Sequence, residues 1–555
     1  MKYRFFLAVA ALMALAACSS DNDIIEPQQP TTDDGVVKTP ISITAIYGDG
    51  SGNAGTTRVA YTESGANISA TWESGDEILV AVDNQVSTLT LTDGAGSSSA
   101  TFTGTISHTN PLTATTPLVC YVKDQKNPSA VTVNADGSYT YTSGTFTSQD
   151  GTLAGAASCN LYYGMTHYGN GTDISCNFSV NTSMMKFNVD APGLTEGSAT
   201  LSYKSGDDVI ASATFTIAAD GRNTVYMAIP AGHLTGAQTL RYESTANTVT
   251  ATATLSDAQA NFAAGQTYSK SIMVLTPSTE DVTLTDGVTL CGTGGGNTKV
   301  TIAAGATVTF GGVDINEQIE YMSYRGIDCK GDATIKLKGK NTVKVKDFPN
   351  AAIFIPEGHT LTIEGTGSLY ADGYGAGIGG DEERNCGNIV INSGTITAIG
   401  LNAAGIGSKY NKSCGNITIT GGTVTATGGD YGAAGIGTGE DGSCGNIIIT
   451  GGTVTATGGD NAAGIGSGYT SSFNSITIGN GITRVTATRG STWNSSTDAQ
   501  PIGAGAGDTN GGPVTFGGVN VTGETIKDGD TFGGLTIAVT TNGERDVWTL
   551  TPVTP

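Results

Sequence analysis

Four lysines of this chain, Lys336, Lys338, Lys344 and Lys346, alternate with Ile335, Leu337, Val343 and Val345. An extended strand turns successive side chains to opposite faces, so the aliphatic set points inward and the ammonium groups outward. Lys330 and Lys340 lie close by, which places six of the 26 basic residues within 17 positions. Such a patch would hold an anionic glycan through point charges. Lysine lacks the fork of arginine and would tolerate varied carboxylate or sulfate spacing. Strand lysines that only keep a surface soluble would show the same pattern.

Carboxylates gather in two turns, Asp381-Glu382-Glu383 and Glu440-Asp441. Joined by backbone carbonyls, two or three of them could hold Ca²⁺. With a lysine as base they would suit a calcium-dependent lyase of acidic polysaccharide. Solvated turn acids are the simpler reading. Glu382, Tyr410, Glu440 and Tyr469 make a second arrangement, each four residues past an isoleucine of a repeated phrase. Stacked units would set these acids and rings in one column, and an extended sugar chain is held by ring faces and hydrogen-bonding acids. Thr423, Thr425, Thr427 and Thr453, Thr455, Thr457 form a third, hydroxylated face that could order water, although threonine is also simply a good outward strand residue. The four histidines, His108, His167, His233 and His359, are scattered. No HExxH pair and no serine or cysteine nucleophile motif accompanies them, so no catalytic residue is assigned.

The elements that must position these groups are repeats. Gly377-Ile378-Gly379, Gly405-Ile406-Gly407, Gly435-Ile436-Gly437 and Gly464-Ile465-Gly466 recur at intervals of 28, 30 and 29 residues. Eight residues past each isoleucine come Cys386, Cys414, Cys444 and Phe473. The phrase "NITITGGTVTATGG" alternates at period two in β-branched residues broken by Gly-Gly, and nothing in it has helical spacing. Units of this length, with three short strands and three turns, are coils of a right-handed parallel β-helix sharing one core. Ile327, Ile353 and Ile502 extend the series to seven rungs. The phrases "TVTFGGVDIN" and "PVTFGGVNVT" predict caps at its two ends, with Trp548 covering the open core.

The 555 residues exceed what a single core supports, so two or three domains are expected. A net charge of −23 argues against a nucleic-acid partner, whose phosphates need a basic footprint. Lys2 and Arg4 precede an apolar run from Phe5 to Ala14 that is too short to span a bilayer. Leu15-Ala16-Ala17-Cys18 then resembles a bacterial lipobox. That resemblance implies a signal peptide over 1–17 and lipid attached to Cys18. Ser19 after it does not suggest inner-membrane retention. Asp21 and Asp23 resemble the acidic export signal of surface lipoproteins, which implies anchoring in the outer membrane facing outward. Residues 18–39 are polar and acidic and read as a flexible tether. From 40 to 274 short alternating strands run between Gly, Asn and Asp turns, which predicts two β-sandwiches, 40–172 and 173–274. Residues 275–281 read as a linker, and 282–555 as the β-helix with its C-terminal cap.

The middle region resembles the fimbrillin (Mfa-like) family of Bacteroidota lipoproteins. The phrases that carry the likeness are "TRVAYTE" at Thr57–Glu63, "ATWESGDEILV" at Ala70–Val80, "YMAIPAG" at Tyr226–Gly232 and "FAAGQTYSKSI" at Phe262–Ile272. The resemblance implies an all-β lipoprotein of the cell surface with other pilus subunits as partners, and makes Arg58 a candidate processing site beside the plainer reading of an exposed strand arginine. The long solenoid departs from the family's stalk subunits, which suits a tip-like or free-standing protein. The rung "TLTIEGTGSLYADG" with "AGIGG", Thr360–Gly380, is similar to carbohydrate-binding β-helix modules.

Three functions stay open on these grounds: a non-catalytic adhesin whose solenoid binds a glycan, a calcium-dependent lyase, and a pilus anchor or tip with the rod as spacer. Cys386, Cys414 and Cys444 are expected in successive rungs as buried thiols, with side chains standing parallel and unbridged. Cys159 and Cys176 are the expected disulfide.

Overall fold

A computed structural model of the chain describes residues 36–553, apart from 48–59, 65–66, 84, 123–130, 134–138, 142, 158, 160–161, 172, 181, 257–259, 264–265, 278, 280, 296–297, 317–325, 346–349, 492–497 and 508–510. Cys18, Arg58 and Lys346 lie outside the described residues. The molecule is nearly all β: among the described residues the helical pieces are one 3₁₀ turn, Ser143–Ser148, and one short α-helix, Leu153–Ala157.

The first unit is a closed barrel. Its strands follow the order Val37–Tyr47, Ile174–Val180, Tyr162–His167, Pro117–Val122, Glu77–Val82, Gln85–Asp93 and Ser99–His108, and the last returns to the first. Alternation drives it: Ile41, Ile43 and Ala45 are buried while their neighbours face out. The sheet curls until its edges meet, so a barrel stands where a two-layer sandwich was expected, and closure leaves no free edge. Trp72 is fully buried at the hub, with Phe102 4.7 Å away and Phe178 5.7 Å away, both edge-on. Two expected boundaries shift. The first unit begins at Val37 rather than at 40, because Val37 already pairs with His108. The first unit runs past 172, because Ile43 pairs with Ile174 in parallel.

The second unit is a sandwich. Thr182–Asp190 lies between Arg222–Pro230 and Thr267–Leu275. Facing them is a sheet in the order Asp208–Thr216, Ser198–Ser205, Gln238–Ser244, Val249–Ser256. Part of the expected first domain belongs to this core: Phe146 and Cys159 are buried in it, and the Gln149 side chain bonds both the N–H and the carbonyl of Ala228. Cys176, in contrast, sits in the barrel core. The expected Cys159–Cys176 disulfide is therefore corrected, because the two thiols occupy different cores.

The predicted linker is not a hinge. Thr267–Leu275 pairs in parallel with Val288–Thr293, so the sandwich sheet runs directly into the solenoid as one 23-stranded sheet. Thr276 and Thr279 are buried between them, bonded to one another and to the Pro192 carbonyl.

Beyond this joint stands the parallel β-helix. Its shortest strands make a nine-stranded parallel sheet. Ile327, Ile353, Ile378, Ile406, Ile436, Ile465 and Ile502 stack in register through it, and Val282–Leu284 and Val300–Ile302 add two rungs below. The phrase Gly-Ile-Gly has a steric cause. The second glycine has φ between 136° and 140° at Gly379, Gly407, Gly437, Gly466 and Gly503. A Cβ on Gly437 would lie 1.8 Å from the Gly466 carbonyl oxygen. Only glycine lets the coils close to strand spacing at this column. Of the paired phrases, Thr307–Ile315 is a full strand of an early coil, whereas Val514–Phe516 turns back on Val519–Asn520. Trp548 packs on Phe516 at 6.5 Å, over the end of the core.

Candidate functional site

The lysine strands keep their period. Ile335, Leu337, Val343 and Val345 are buried, Lys336 is exposed, and Lys338 and Lys344 are half-buried. Each has a partner on the next coil. Lys336 Nζ lies 3.6 Å from Glu364 Oε1, and Lys338 Nζ donates to Thr366 Oγ1 at 3.2 Å. Lys344 Nζ sits 5.2 Å from the centre of the Tyr370 ring, whose hydroxyl donates to Asp372 at 3.4 Å. The patch is thus partly neutralised. Burial, and then the charge of Lys336, lowers the pKa of Lys270 on the adjoining sandwich strand.

The acids at 381–383 do not form one cluster. Asp381 is fully buried: its Oδ1 accepts from the N–H groups of Glu383 and Arg384, and its Oδ2 from the Arg384 guanidinium at 3.1 Å. Arg384 also lies 3.3 Å over the Phe354 ring and 3.6 Å from Asp328. Glu382 accepts from Lys409, a lysine 4% exposed whose Nζ lies 5.0 Å from the Tyr374 ring. Glu383 is exposed. Asp381 therefore serves as the anchor of Arg384 rather than as a calcium ligand beside Glu382 and Glu383. The cation facing Asp381 is Arg384, while Lys336 and Lys344 face Glu364 and Tyr370, so the base-and-acid pairing a lyase would use is not assembled from those residues.

Three of the four members of the acid-and-tyrosine column are stacked, while the fourth, Glu382, is taken by Lys409. Asn411 N–H bonds the Glu440 carbonyl at 2.8 Å, and Asp441 N–H bonds the Tyr469 carbonyl at 3.0 Å, which stacks Tyr410, Glu440 and Tyr469. The turn that projects them is repeated: Asn411, Asp441 and Thr470 have φ of 53°, 53° and 49°. Asn and Asp tolerate this left-handed conformation, and Thr470 is held in it by a bond to the Asp441 carboxylate. The preceding turn joins the same edge, because Tyr469 N–H bonds the Gly432 carbonyl at 2.9 Å. This sets the turn of Tyr431, itself 70% exposed, against Glu440 and Tyr469, on the edge that also carries Tyr410, 50% exposed. Burial, and then the charge of Asp441, raises the Glu440 carboxyl above its ordinary pKa.

Arg384, Lys409, Tyr374 and Tyr431 were absent from the sequence expectations. Their signal was in the register: in-register counting sets Asp328, Phe354 and Gly379 in one column, two residues before Asp381. Thr423, Thr425 and Thr427 pair with Thr453, Thr455 and Thr457 on the next coil; on the preceding coil Thr423 and Thr425 pair with Thr395 and Thr397, and Thr427 with Ile399.

A family model described as a β-helix repeat matches residues 361–382, 389–408, 417–440 and 447–469. No curated protein sequence matches the chain. Solved structures similar to it include one assigned to cell adhesion from Bacteroides ovatus, at 15% identity and TM-score 0.28, covering 43% of this chain and 92% of that one. The fimbrial anchor protein Mfa2 of Porphyromonas gingivalis is similar at 12% identity and TM-score 0.20, over 38% and 80% of the two chains. The tip fimbrial protein Mfa3 of the same organism is similar at 8% identity and TM-score 0.20, over 39% and 81%.

Proposed function

We propose that this is a lipid-anchored, fimbrillin-like surface adhesin whose solenoid binds an extended, uncharged glycan without cleaving it. The observation that carries the reading is the edge of Tyr410, Glu440 and Tyr469, with Tyr431 beside it. Rings on alternate rungs stand about 9–10 Å apart, twice the strand spacing. That period suits every second sugar of an extended chain, with Glu440 between to accept hydroxyl hydrogens. An acidic edge favours a neutral ligand over a uronic acid. The lipobox at Cys18 and the fimbrillin phrases support placement at the cell surface, with other pilus subunits as partners, and the continuous sheet from sandwich to rod would hold the edge away from the membrane.

A glycan array with the whole chain tests this. Wild type should be retained on neutral β-linked polysaccharides, and Tyr410→Ala with Tyr431→Ala and Tyr469→Ala should lose retention at least tenfold. Equal retention of the triple variant removes the edge from the reading. Unsaturated product from polygalacturonate with calcium would overturn the claim that there is no catalysis.

A further inference from the structure

Three cysteines form a column in the rod that nothing above employs. Cys386 bridges Cys414 in parallel, and Cys414 pairs with Cys444. Pro356 borders the column on one side and Phe473 on the other, so it holds three thiols and no more. The side chains do not stand parallel, as in-register strands would make them. The column lies at a corner: Cys386 is in an isolated bridge, and Cys414 ends the two-residue strand Ser413–Cys414, next to Gly415. There the thiols lean together. The Cys386 and Cys414 sulfurs are 2.6 Å apart, and both face the Gly387 carbonyl, at 3.5 and 3.7 Å. Cys444 faces the Gly415 carbonyl at 3.5 Å, one coil on.

We infer that Cys414 is a shared disulfide partner, bonded to either Cys386 or Cys444 when the chain matures outside the cytoplasm, so that a bond ties two adjacent coils and the third cysteine stays a thiol. Strand spacing of ~4.8 Å falls inside the Cα separation a disulfide spans, about 4.4–6.8 Å. Two coils, ~9.6 Å, fall outside it, so Cys386 and Cys444 cannot pair.

Oxidation takes two protons and two electrons from a pair of thiols, and the oxidant is the disulfide of a thiol oxidoreductase, which leaves as a dithiol. Exchange needs no oxidant: the Cys444 thiolate attacks the Cys414 sulfur, the bond to Cys386 breaks, and Cys386 departs as thiolate and takes up the proton. The three are only 1%, 6% and 6% exposed. An enzyme cannot reach them in the closed rod, so the bond is made while the coils are stacking and is then sealed in.

The test is a disulfide map of the full chain exported to the periplasm, quenched in acid and alkylated under denaturing conditions without reductant. Trypsin separates Cys386 from Cys414 at Lys409 and Lys412, and cleavage at Asp430 or Glu440 separates Cys414 from Cys444. Wild type should give a Cys386–Cys414 or Cys414–Cys444 peptide with the remaining cysteine alkylated. Cys386→Ser should place the whole bond at Cys414–Cys444, and Cys414→Ser should leave both others alkylated. Full alkylation of all three in exported wild type overturns the inference, as does a Cys386–Cys444 peptide. The wild-type map decides even if a variant fails to fold. As a second reading, reductant should lower the Tm of wild type by several degrees and leave that of Cys414→Ser unchanged.

Discussion

The barrel and the rod bury similar aliphatic residues by opposite means. In the barrel, strands far apart in sequence meet, as Ile43 meets Ile174, and their side chains converge on Trp72. In the rod, each side chain meets its own counterpart one coil away: Ile406 on Ile436, Val424 on Val454, Ala426 on Ala456. A hub concentrates stability in one ring, whereas a stack spreads it over nearest neighbours. The sandwich between them is joined to the rod by strand pairing, so it should share the rod's fate more than the barrel's.

The largest effects should expose that contrast. Trp72→Ala empties the hub and should cost about 3–5 kcal/mol. Followed by denaturant titration, it should detach an early transition of the barrel while the rod's transition keeps its midpoint. Gly437→Val acts on the other side, placing a branched side chain at a φ of 140° against the Gly466 carbonyl. The expected loss is at least about 4 kcal/mol, the range in which a named steric clash is at work. It should open the coils around 437 to protease and spare the barrel. If each variant shifts both transitions equally, the two regions fold as one unit and the contrast fails.

Alkaline pH should sharpen it at intermediate size. Burial pushes the Cys329 thiol in the rod core and the Cys291 thiol in the sandwich core up to about 12, from an ordinary value of 9.0. Burial does the same to the Tyr121 hydroxyl in the barrel, from 10.0 to about 12. A raised folded pKa means that the folded state keeps its proton where the unfolded chain has lost it. This stability is complete below the unfolded value and falls as pH rises toward the folded one. Each thiol should therefore remove about 1.4 kcal/mol per pH unit between about pH 9 and 12. The barrel has a raised thiol of its own, Cys120, held up by its hydrogen bond with Cys176 and by burial. Its decline should therefore begin in the same interval and steepen about one unit later, where Tyr121 joins. Denaturation midpoints measured from pH 8 upward test this, and a rod that gains stability over that interval would contradict it.

How much of this the amino-acid order discloses follows from the same contrast. Stacked units repeat their alternation, so the isoleucine column, the cysteine column, the inward and outward sets around Lys336, and the Tyr410–Glu440–Tyr469 edge could all be counted off the chain. Barrel closure could not, because nothing local tells Ile174 that its partner is Ile43. The threonine turn at Thr276 read as a linker because small polar residues look alike in a hinge and in a bonded corner, and only the Pro192 carbonyl distinguishes them. The fate of Asp381 was hidden for a related reason. Its acidity is visible, but the guanidinium that claims it is held by Asp328 and Phe354, two coils and one coil earlier. The direction in which the cysteine side chains lean depends on corner geometry that strand periodicity does not contain.

The smallest effect should come from the lysine strands, and its size tells the patch from the tyrosine edge. Lys336→Gln, Lys338→Gln and Lys344→Gln together remove one ion pair, one hydroxyl contact and one ring contact, all at half-exposed or exposed positions. An exposed pair such as Lys336–Glu364 contributes about 0.2–1 kcal/mol. Against that loss stands a gain. Lys270 is half-buried and its pKa is held below the usual lysine value in part by Lys336, so the folded chain carries a repulsion that the variant relieves. The two should nearly cancel, leaving stability within about 0.5 kcal/mol of wild type. Retention on a neutral glycan, which depends on the rings, should not change. Retention on a uronic-acid matrix should be weak in wild type, vanish near ~1 M salt where screening acts within about 3 Å, and be absent in the triple variant. Adding Lys346→Gln should then make no further difference. If the lysine variant instead loses neutral glycan as steeply as the tyrosine variant, the ligand spans both faces. The column of Tyr410, Glu440 and Tyr469 is then only half of the site.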